Sequence, residues 1–391
     1  MQTLSVSRLA DLRHKLEVIE KNPIQKKAIV GFDGFVDKIK KAVRHKNGQG
    51  APEYFKTISE FGDRIRAAKG KSGQVEMVTQ RTKLGGNAPI LSNALGKLGV
   101  KNICVGCFGL PNRKQVFSKM NANCELVSVL DPGLSDAIEF SDGKLIFSEL
   151  AVFDSYDWKY LKKTFDLNQI IRQAKACDTM ALVDWANLPW AYDIWCGVLQ
   201  EVIKPSGRRN FHFLFDLCDP SKHSTEDIDE VLDLISNFSS FGEVTLCLNE
   251  NEALTIWAYL NGLDFKNPQH HEKIPGVLPA GKYIFKTMSI NNLFIHPIDK
   301  GILYSKKETI EINGLMVKEP KALTGGGDNL NAGYCLGLLA GLSPFECVVL
   351  GMATAGAYIM NGASPSLKEV NRYLNEWEES LSVHETEISI A

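Results

Sequence analysis

The chain has 391 residues, 44% of them hydrophobic, which is enough to bury a sizeable core. Its 44 Lys and Arg residues nearly balance 46 Asp and Glu residues, and no long basic run occurs, so we exclude nucleic acid as a partner. The most apolar runs are too short or too rich in glycine to cross a bilayer, so we exclude a membrane segment as well.

The first residues predict an amphipathic helix, because Leu9, Leu12 and Leu16 recur at helical spacing among charges. The stretch lacks the apolar core and cleavage site of a signal peptide, so we expect it to stay on the protein. Nine cysteines, an odd number, lie scattered along the chain, and we interpret the C-x-x-C of Cys104 and Cys107 as packed thiols. This usage predicts a reducing compartment, the cytoplasm.

After this helix, KKAIVGFDGFV (26–36) predicts a strand that runs into a loop. Segment 40–84 has a different character, with a short amphipathic helix near Ile58–Ala68 and an alternating pattern at Val75 and Met77. We expect 40–84 to leave the main body as a lid. An apolar exposed face on this lid could pair with another lid, so a homodimer through the lid stays open.

Downstream of the lid, strand-like runs alternate with helical patterns, which predicts βαβ units and a mostly parallel sheet covered on both faces. The chain ends in helices, and no repeat or linker divides it, so we predict a single α/β domain over 1–391. The predicted strands are NICVGCF, CELVSVL, TMALVDW, FHFLFDL, EVTLCLN, YIFKTMS, LFIHPI and GILYS. The predicted helices are 88–98, 166–176, 190–203, 225–238, 250–261, 328–341, 344–361 and 366–382.

Three consecutive glycines, Gly325, Gly326 and Gly327, precede Asp328 where an apolar helix is predicted to begin. Glycine lets backbone amides approach an anion closely, and a helix N-terminus adds its positive dipole, so this loop predicts an anion hole for phosphate. A carboxylate beside an anion needs another role, and Asp328 can act as the general base that takes a proton from a substrate hydroxyl. The alternative is that Asp328 only caps the helix.

Two segments offer ligands for a polyhydroxylated substrate. Asp33 and Asp37 follow the first strand, where carboxylates can accept paired hydroxyls or, alternatively, form a turn. Gly85, Gly86 and Asn87 precede a predicted helix, where free amides and an amide side chain can bind such a ligand.

Asn249 and Glu252 lie one helical turn apart just past a predicted buried strand. Such a pair can hold hydrated Mg²⁺ near phosphates, with Glu252 acting indirectly. The same spacing is equally typical of a capping box.

These motifs resemble those of the ribokinase family (phosphofructokinase-B type) of ATP-dependent sugar kinases. TGGGDNLNAG resembles the family's T-G-A-G-D signature, and GGNAPILSNALGKLG resembles its glycine pair and following helix. NENE, FDLCDP (215–220) and NGASPSLKEV (361–370) resemble three shorter elements in the same order. The similarity covers about 28–375 and implies a ribokinase-like three-layer α/β sandwich with a mostly parallel central sheet and a small β lid.

The resemblance implies a carbohydrate kinase that transfers the γ-phosphoryl group of ATP to a sugar hydroxyl, with Mg²⁺ as a cofactor. It implies Asp328 as the base, the three glycines as the anion hole, and Thr324, Gly362 and Ala363 near the nucleotide. A nucleoside or other hydroxylated metabolite as acceptor stays open. So does a non-catalytic sugar or nucleotide sensor on the same scaffold.

Some residues depart from the family pattern. Ala322 stands where the family often has Asp, Ile90 replaces a common Asn, and Gly351 replaces another Asn. These departures put in doubt the monovalent-cation site, the sugar contacts and the adenine contact, respectively. GFDGFVDKI is also similar to ADP-dependent glucokinases and phosphofructokinases, whose glycine loop differs, so ATP is the favoured donor.

Overall fold

The computed structural model describes residues 4–48, 50–322 and 324–390, and side chains as far as Val383. The strands are β1 (Ala28–Gly31), β2 (Phe35–His45), β3 (Glu53–Tyr54), β4 (Met77–Gly85), β5 (Asn102–Gly106), β6 (Cys124–Ser128), β7 (Gly133–Phe140), β8 (Gly143–Glu149), β9 (Thr179–Val183), β10 (Phe211–Asp216), β11 (Gly242–Asn249), β12 (Asn292–His296), β13 (Lys300–Ser305) and β14 (Thr309–Asn313).

The α-helices are α1 (Val6–Lys21), α2 (Ile58–Arg66), α3 (Asn87–Lys97), α4 (Trp158–Thr164), α5 (Leu167–Ala176), α6 (Ala191–Gly197), α7 (Lys204–Ser206), α8 (Thr225–Asn237), α9 (Glu250–Leu260), α10 (Val277–Thr287), α11 (Gly326–Ala340), α12 (Pro344–Asn361) and α13 (Leu367–Ile390). A π-helical stretch, Val198–Ile203, joins α6 to α7.

Nine strands form the main sheet, in the order β14-β13-β12-β11-β10-β9-β1-β5-β6. The seven strands from β12 to β6 are parallel to their neighbours, and β13 and β14 extend one edge in antiparallel pairing. Successive side chains point to opposite faces, so Phe213 and Phe215 enter one core while Leu214 enters the other.

Helices cover both faces of this sheet. One core contains side chains of α5, α6, α8, α9 and α10, and the other contains side chains of α1, α3, α11, α12 and α13. The prediction of a three-layer α/β fold with a mostly parallel sheet is confirmed.

A second sheet, called here the small sheet, contains β2, β3, β4, β7 and β8. Strand β2 leaves β1 through a three-residue turn, pairs with β4 on one edge and pairs with β7 on the other. The small sheet therefore draws on 133–149 as well as on the segment predicted as a lid, 40–84. Its role as a lid stays a prediction.

One predicted strand is wrong. YIFKTMS (283–289) begins inside helix α10, which ends at Thr287. Its aromatic and β-branched residues favour a strand locally, but Ala280 and Ile284 are one helical turn apart and are both buried. Burial along one helical face decides the structure here. The other predicted strands after the lid each overlap an observed strand, while β7, β8 and β14 were not predicted.

Within the described residues, no helix is both long enough and apolar enough to span a bilayer. All nine cysteines are free, and Cys104 and Cys107 are both buried.

Helices α11 and α12 approach each other closely because glycines lie at their contact. A methyl group on Gly333 would overlap Oγ1 of Thr354 and approach the carbonyl oxygen of Leu350. A methyl group on Gly337 would meet Cys347 in the same way. Since α11 begins at the predicted anion hole, this contact helps to set where that hole lies.

We expect Gly333→Ala to lower the free energy of unfolding by about 1–3 kcal/mol, because α12 must shift to admit the methyl group. Gly62→Ala in helix α2 is the matched control, since no atom of the described residues outside the helix's own neighbouring backbone lies within 4 Å of the added methyl group. The control should be neutral or more stable by up to about 1 kcal/mol, as Ala favours helix. Urea unfolding measures both variants, and equal effects would contradict the packing argument.

Candidate active site

Neighbouring parallel strands deliver polar residues to one edge of the main sheet, at their carboxyl ends. His296 ends β12, Asn249 ends β11 and Asp216 ends β10. Asp184 follows β9, and Asp33 lies in the turn after β1. Because these strands are adjacent and parallel, residues distant in the chain meet in one row.

Asp328 lies in the first turn of α11, above this row. The helix begins at Gly326, and Gly325 is its N-cap in a left-handed conformation with φ 89°. Asp328 is therefore the third helical residue, and the interpretation that it caps the helix is wrong. Its side chain is 8% exposed and forms no hydrogen bond or ion pair with any described residue.

The Asp328 carboxyl is electrostatically strained. Burial raises its pKa well above the ordinary value, the carboxylates of Asp216 and Asp184 raise it further, and Lys83 opposes them. Such a group accepts a proton more readily than an exposed aspartate does.

The amides of Gly326, Gly327 and Asp328 donate to no acceptor among the described residues. The carbonyl before them is held, because the hydroxyl of Tyr358 donates to the oxygen of Thr324 at 2.7 Å. Side-chain Nδ2 of Asn329 also donates to the oxygen of Gly325 at 2.7 Å. The loop is thus fixed by its carbonyls, while its amides stay available for an anion.

The glycine pair that precedes α3 leaves room for two acids. A methyl group on Gly85 would overlap the carboxylate of Asp37, and one on Gly86 would overlap Oδ2 of Asp33. Gly86 also has φ 93°, which disfavours other residues.

The floor of the site contains a pair of buried acids, Asp33 and Asp184. Oδ1 of Asp33 accepts from the amide of Ala88 at 2.7 Å, and Oδ1 of Asp184 accepts from Nδ2 of Asn187 at 2.6 Å. Neither Oδ2 atom has a hydrogen-bond partner among the described residues. Burial raises the pKa of both carboxyls. For Asp33 the neighbouring Asp184 raises it further.

A polar cavity of about 510 Å³ lies between this edge and the inner face of the small sheet. Its lining combines carboxylates, amides and ammonium groups with a few apolar side chains of the small sheet. The residues are Phe35, Asp37, Ile39, Lys83, Gly86, Asn87, Ile90, Ser135, Ala137, Lys144, Ile146, Ser148, Asp184, Asn187, Asp216, Cys218, Lys222, Asn249, Glu252, His296, Thr324, Gly325, Gly327 and Asp328.

A second cavity, of about 520 Å³, lies on the other side of the glycine loop and is mainly apolar. Its apolar lining includes Ile298, Leu315, Met316, Val317, Ala322, Met352, Ala355 and Ile359. Asn249, His296, Gly325 and Gly327 line both cavities. A polar and an apolar ligand could therefore meet at the glycine loop.

The structure brings most of the predicted site residues together. Nine line the polar cavity, namely Asp37, Gly86, Asn87, Asn249, Glu252, Thr324, Gly325, Gly327 and Asp328. Gly326 lines the apolar cavity, while Asp33 and Gly85 lie behind the polar one. Gly362 and Ala363 line neither cavity, since Gly362 ends α12 and packs against Lys321.

Asn249 and Glu252 form the capping box that the sequence left open. Oδ1 of Asn249 accepts from the amide of Glu252 at 2.9 Å, and Oε2 of Glu252 accepts from the amide of Asn249 at 2.8 Å. Burial raises the pKa of Glu252 well above its ordinary value, and Asp216 raises it further. Both residues also line the polar cavity, so capping and ligand binding do not exclude each other.

Sequence reasoning missed Asp184 and His296, and it noted FDLCDP without assigning Asp216 to the site. Each of these residues ends or follows a short apolar run, which is a usable signal once the strands are known to be parallel and adjacent. Burial lowers the pKa of His296 to about 4, so its ring is neutral near pH 7.

We expect Asp216→Asn to raise the free energy of unfolding at pH 8 by about 1–3 kcal/mol. Burial raises the pKa of Asp216 from 3.8 to about 6. The folded chain therefore holds a proton that the unfolded chain has released, and the wild type loses stability as the pH rises between these values. The variant avoids that loss.

Urea unfolding at pH 4.5 and pH 8 measures the effect, with exposed Asp229→Asn on α8 as the control. The gain should shrink strongly at pH 4.5, where less of the wild-type penalty has developed. A gain of the same size at both pH values would contradict the assignment.

Comparison with known proteins identifies the family. The model of the prokaryotic ketohexokinase family matches residues 10–377. The ketohexokinase of Haloferax volcanii is 22% identical over 349 residues, covering 89% of this chain and 90% of that protein.

Solved structures show the same fold. Ribokinase of Arabidopsis thaliana, complexed with ribose and ATP, has a TM-score of 0.59 at 15% identity, covering 89% of this chain and 98% of that one. Adenosine kinase of Sinorhizobium meliloti has a TM-score of 0.61 at 15% identity, covering 90% of this chain and 99% of that one. The chain therefore belongs to the prokaryotic ketohexokinase family, and it is a sugar kinase with the ribokinase-like fold.

Proposed function

We propose that this protein is an ATP-dependent ketohexose kinase in which Asp328 is the general base. One observation carries the proposal: among the described residues, the buried carboxylate of Asp328 has no hydrogen-bond partner, and neither do the backbone amides beside it. The glycine loop beside Asp328 lies where the polar and apolar cavities meet. The ketohexose as acceptor follows from the family and from the name of the Haloferax relative.

In the proposed reaction, Asp328 takes the proton of the acceptor hydroxyl as the oxygen attacks the γ-phosphorus. Its raised pKa supports this role, because a base with a higher pKa removes a proton with less loss of free energy. The amides of Gly326 and Gly327 stabilise the charge on the phosphoryl oxygens in transit, and they need no rearrangement to do so.

The acceptor would bind in the polar cavity. Asp37 on β2 and Asn87 at the start of α3 both line this cavity. Hydroxyl groups donate to carboxylates and exchange hydrogen bonds with amides, so both side chains suit a sugar. The small sheet would act as the lid that covers this ligand and excludes water.

The nucleotide would place its base in the apolar cavity and its phosphates at the helix N-terminus. The lining by Met316, Val317 and Ile359 suits a flat, largely apolar ring. Gly362 would then act only indirectly, through its packing against Lys321, and Ala363 would have no direct nucleotide contact.

The residues present fit a magnesium ion that is bound mainly by phosphates and water. Among the described residues, no cluster of three or more His, Cys, Asp or Glu side chains forms a complete metal site. Glu252 lies in the polar cavity beside other carboxylates, and a nearby cation would relieve their repulsion. When bound, the ion would supply positive charge to the nucleotide phosphates.

We expect Asp328→Asn to lower kcat by about 10²–10⁴ with Mg·ATP and a ketohexose, because the amide cannot accept the hydroxyl proton. A coupled assay of ADP release across a panel of ketohexoses, other sugars and nucleosides measures turnover and identifies the acceptor. An equivalent assay that supplies ADP and detects AMP tests whether ADP is the phosphoryl donor instead of ATP.

The exposed Asp229→Asn variant controls for the loss of a carboxylate elsewhere, and unfolding curves show whether Asp328→Asn stays folded. Turnover within a few-fold of the wild type would overturn the role of Asp328. Binding of sugar and ATP without turnover by the wild type would instead favour a sensor.

We also expect Asp37→Asn to raise the KM of the acceptor by about 10–10²-fold, since a charged hydrogen bond contributes about 1.5–3 kcal/mol. The affinity for ATP, measured by calorimetry without acceptor, should stay within about twofold. Equal losses of acceptor and nucleotide binding would place Asp37 in a structural role.

A further inference from the structure

We propose that Lys144 is a catalytic residue that binds the phosphoryl group in transit, delivered to the glycine loop by the small sheet. This inference rests on the kinase reaction proposed above. One contact carries it: Nζ of Lys144, on β8, donates to Oγ1 of Thr324 at 3.4 Å. Thr324 directly precedes the glycines whose amides form the proposed anion hole.

The other cations at the site are placed for other roles. In the described part of the chain, the cations that line the two cavities are Lys83, Lys144, Lys222 and Lys300. Lys222 donates to Oδ1 of Asn187 at 2.6 Å, and Lys300 pairs with Glu311 at 3.0 Å. Lys83 faces Asp37, and its charge also opposes the raised pKa of Asp328. Among the four, Lys144 donates to the residue that directly precedes the glycine loop.

The side chain of Lys144 is held inward. It is only 15% exposed, although it comes from a strand of the small sheet. Oε1 of Glu139, on the neighbouring strand, lies 3.6 Å from its Nζ atom. Arg81 lies 3.8 Å from the same oxygen, so Glu139 shares its charge between two cations. Asp37, on the cavity wall, also interacts electrostatically with Lys144.

The electrostatics of the site favour such a cation. A transferred phosphoryl group carries negative charge on three oxygens, and it must enter a cavity lined by Asp216, Glu252 and Asp328. Backbone amides supply only partial charges. A full positive charge within hydrogen-bond distance of the phosphoryl oxygens offsets the repulsion, and it acts strongly where water is excluded.

The bond from the γ-phosphorus to the bridging oxygen of ADP breaks as the bond to the sugar oxygen forms, and the hydroxyl proton passes to Asp328. Lys144 keeps its proton and leaves Thr324 to donate to the phosphoryl oxygens. Because the ammonium group comes from the small sheet, transfer proceeds only while that sheet covers the cavity.

The first test is steady-state kinetics on the full chain with Mg·ATP and a ketohexose. Lys144→Met, which keeps the length but removes the charge, should lower kcat by about 10²–10³ with the acceptor KM within about threefold. The kcat of Lys144→Arg should be at least about tenfold higher than that of Lys144→Met, because arginine restores the positive charge. Lys71→Met, on an exposed loop before β4, is the matched control and should keep wild-type kcat.

The second test is independent of turnover. Calorimetry with ADP and with ATP, both with Mg²⁺ and without acceptor, measures how much tighter the γ-phosphoryl group makes binding. Lys144→Met should reduce that ratio by about tenfold or more and leave ADP affinity within about twofold. An unchanged ratio overturns the inference, as does Lys144→Met turnover within threefold of the wild type.

The two proposals can fail separately. If the wild type turns over no acceptor, the proposed function fails, and the ratio of ATP to ADP affinity alone decides whether Lys144 binds the terminal phosphoryl group. If the wild type is active but Lys144→Met keeps the wild-type kcat and the wild-type ratio of ATP to ADP affinity, the proposed function stands and only the role of Lys144 is wrong.

Discussion

The close contact between α11 and α12 is the constraint on which the site depends. Gly333 and Gly337 remove the side chains that would hold the two helices apart. Tyr358 of α12 can then donate to the Thr324 oxygen and lie against Gly325. Helix packing therefore sets the orientation of the free amides at the start of α11, and with them the position of Asp328.

The site concentrates acids at a cost in stability. Asp33, Asp184, Asp216, Glu252 and Asp328 all have raised pKa values, and in each case burial is the largest cause. Burying these groups opposes folding, so packing elsewhere must offset it. The same strain would make the proposed site receptive to cations and to hydroxyl donors, which suits phosphoryl transfer from Mg·ATP to a sugar.

Much of the fold was predictable because the local patterns are strong. Apolar runs such as FHFLFDL lie on buried strands, and alternation with helices predicts a parallel sheet. The strand predicted at YIFKTMS was wrong because a short apolar and aromatic run is compatible with either a helix or a strand. Strands β7 and β8 were missed, since they belong to a small sheet with one exposed face and carry a weak signal.

The sequence by itself determined the chemistry available at the candidate site: a glycine loop, a carboxylate beside it, and acids and amides after short strands. These are local features, since backbone freedom and side-chain type belong to single residues. Only the tertiary structure decided that Asp184 and His296 join them, that Gly362 does not, and that Lys144 reaches across from the small sheet. Strand order and helix packing bring together residues far apart in the chain, and no short stretch of sequence records which strands become neighbours.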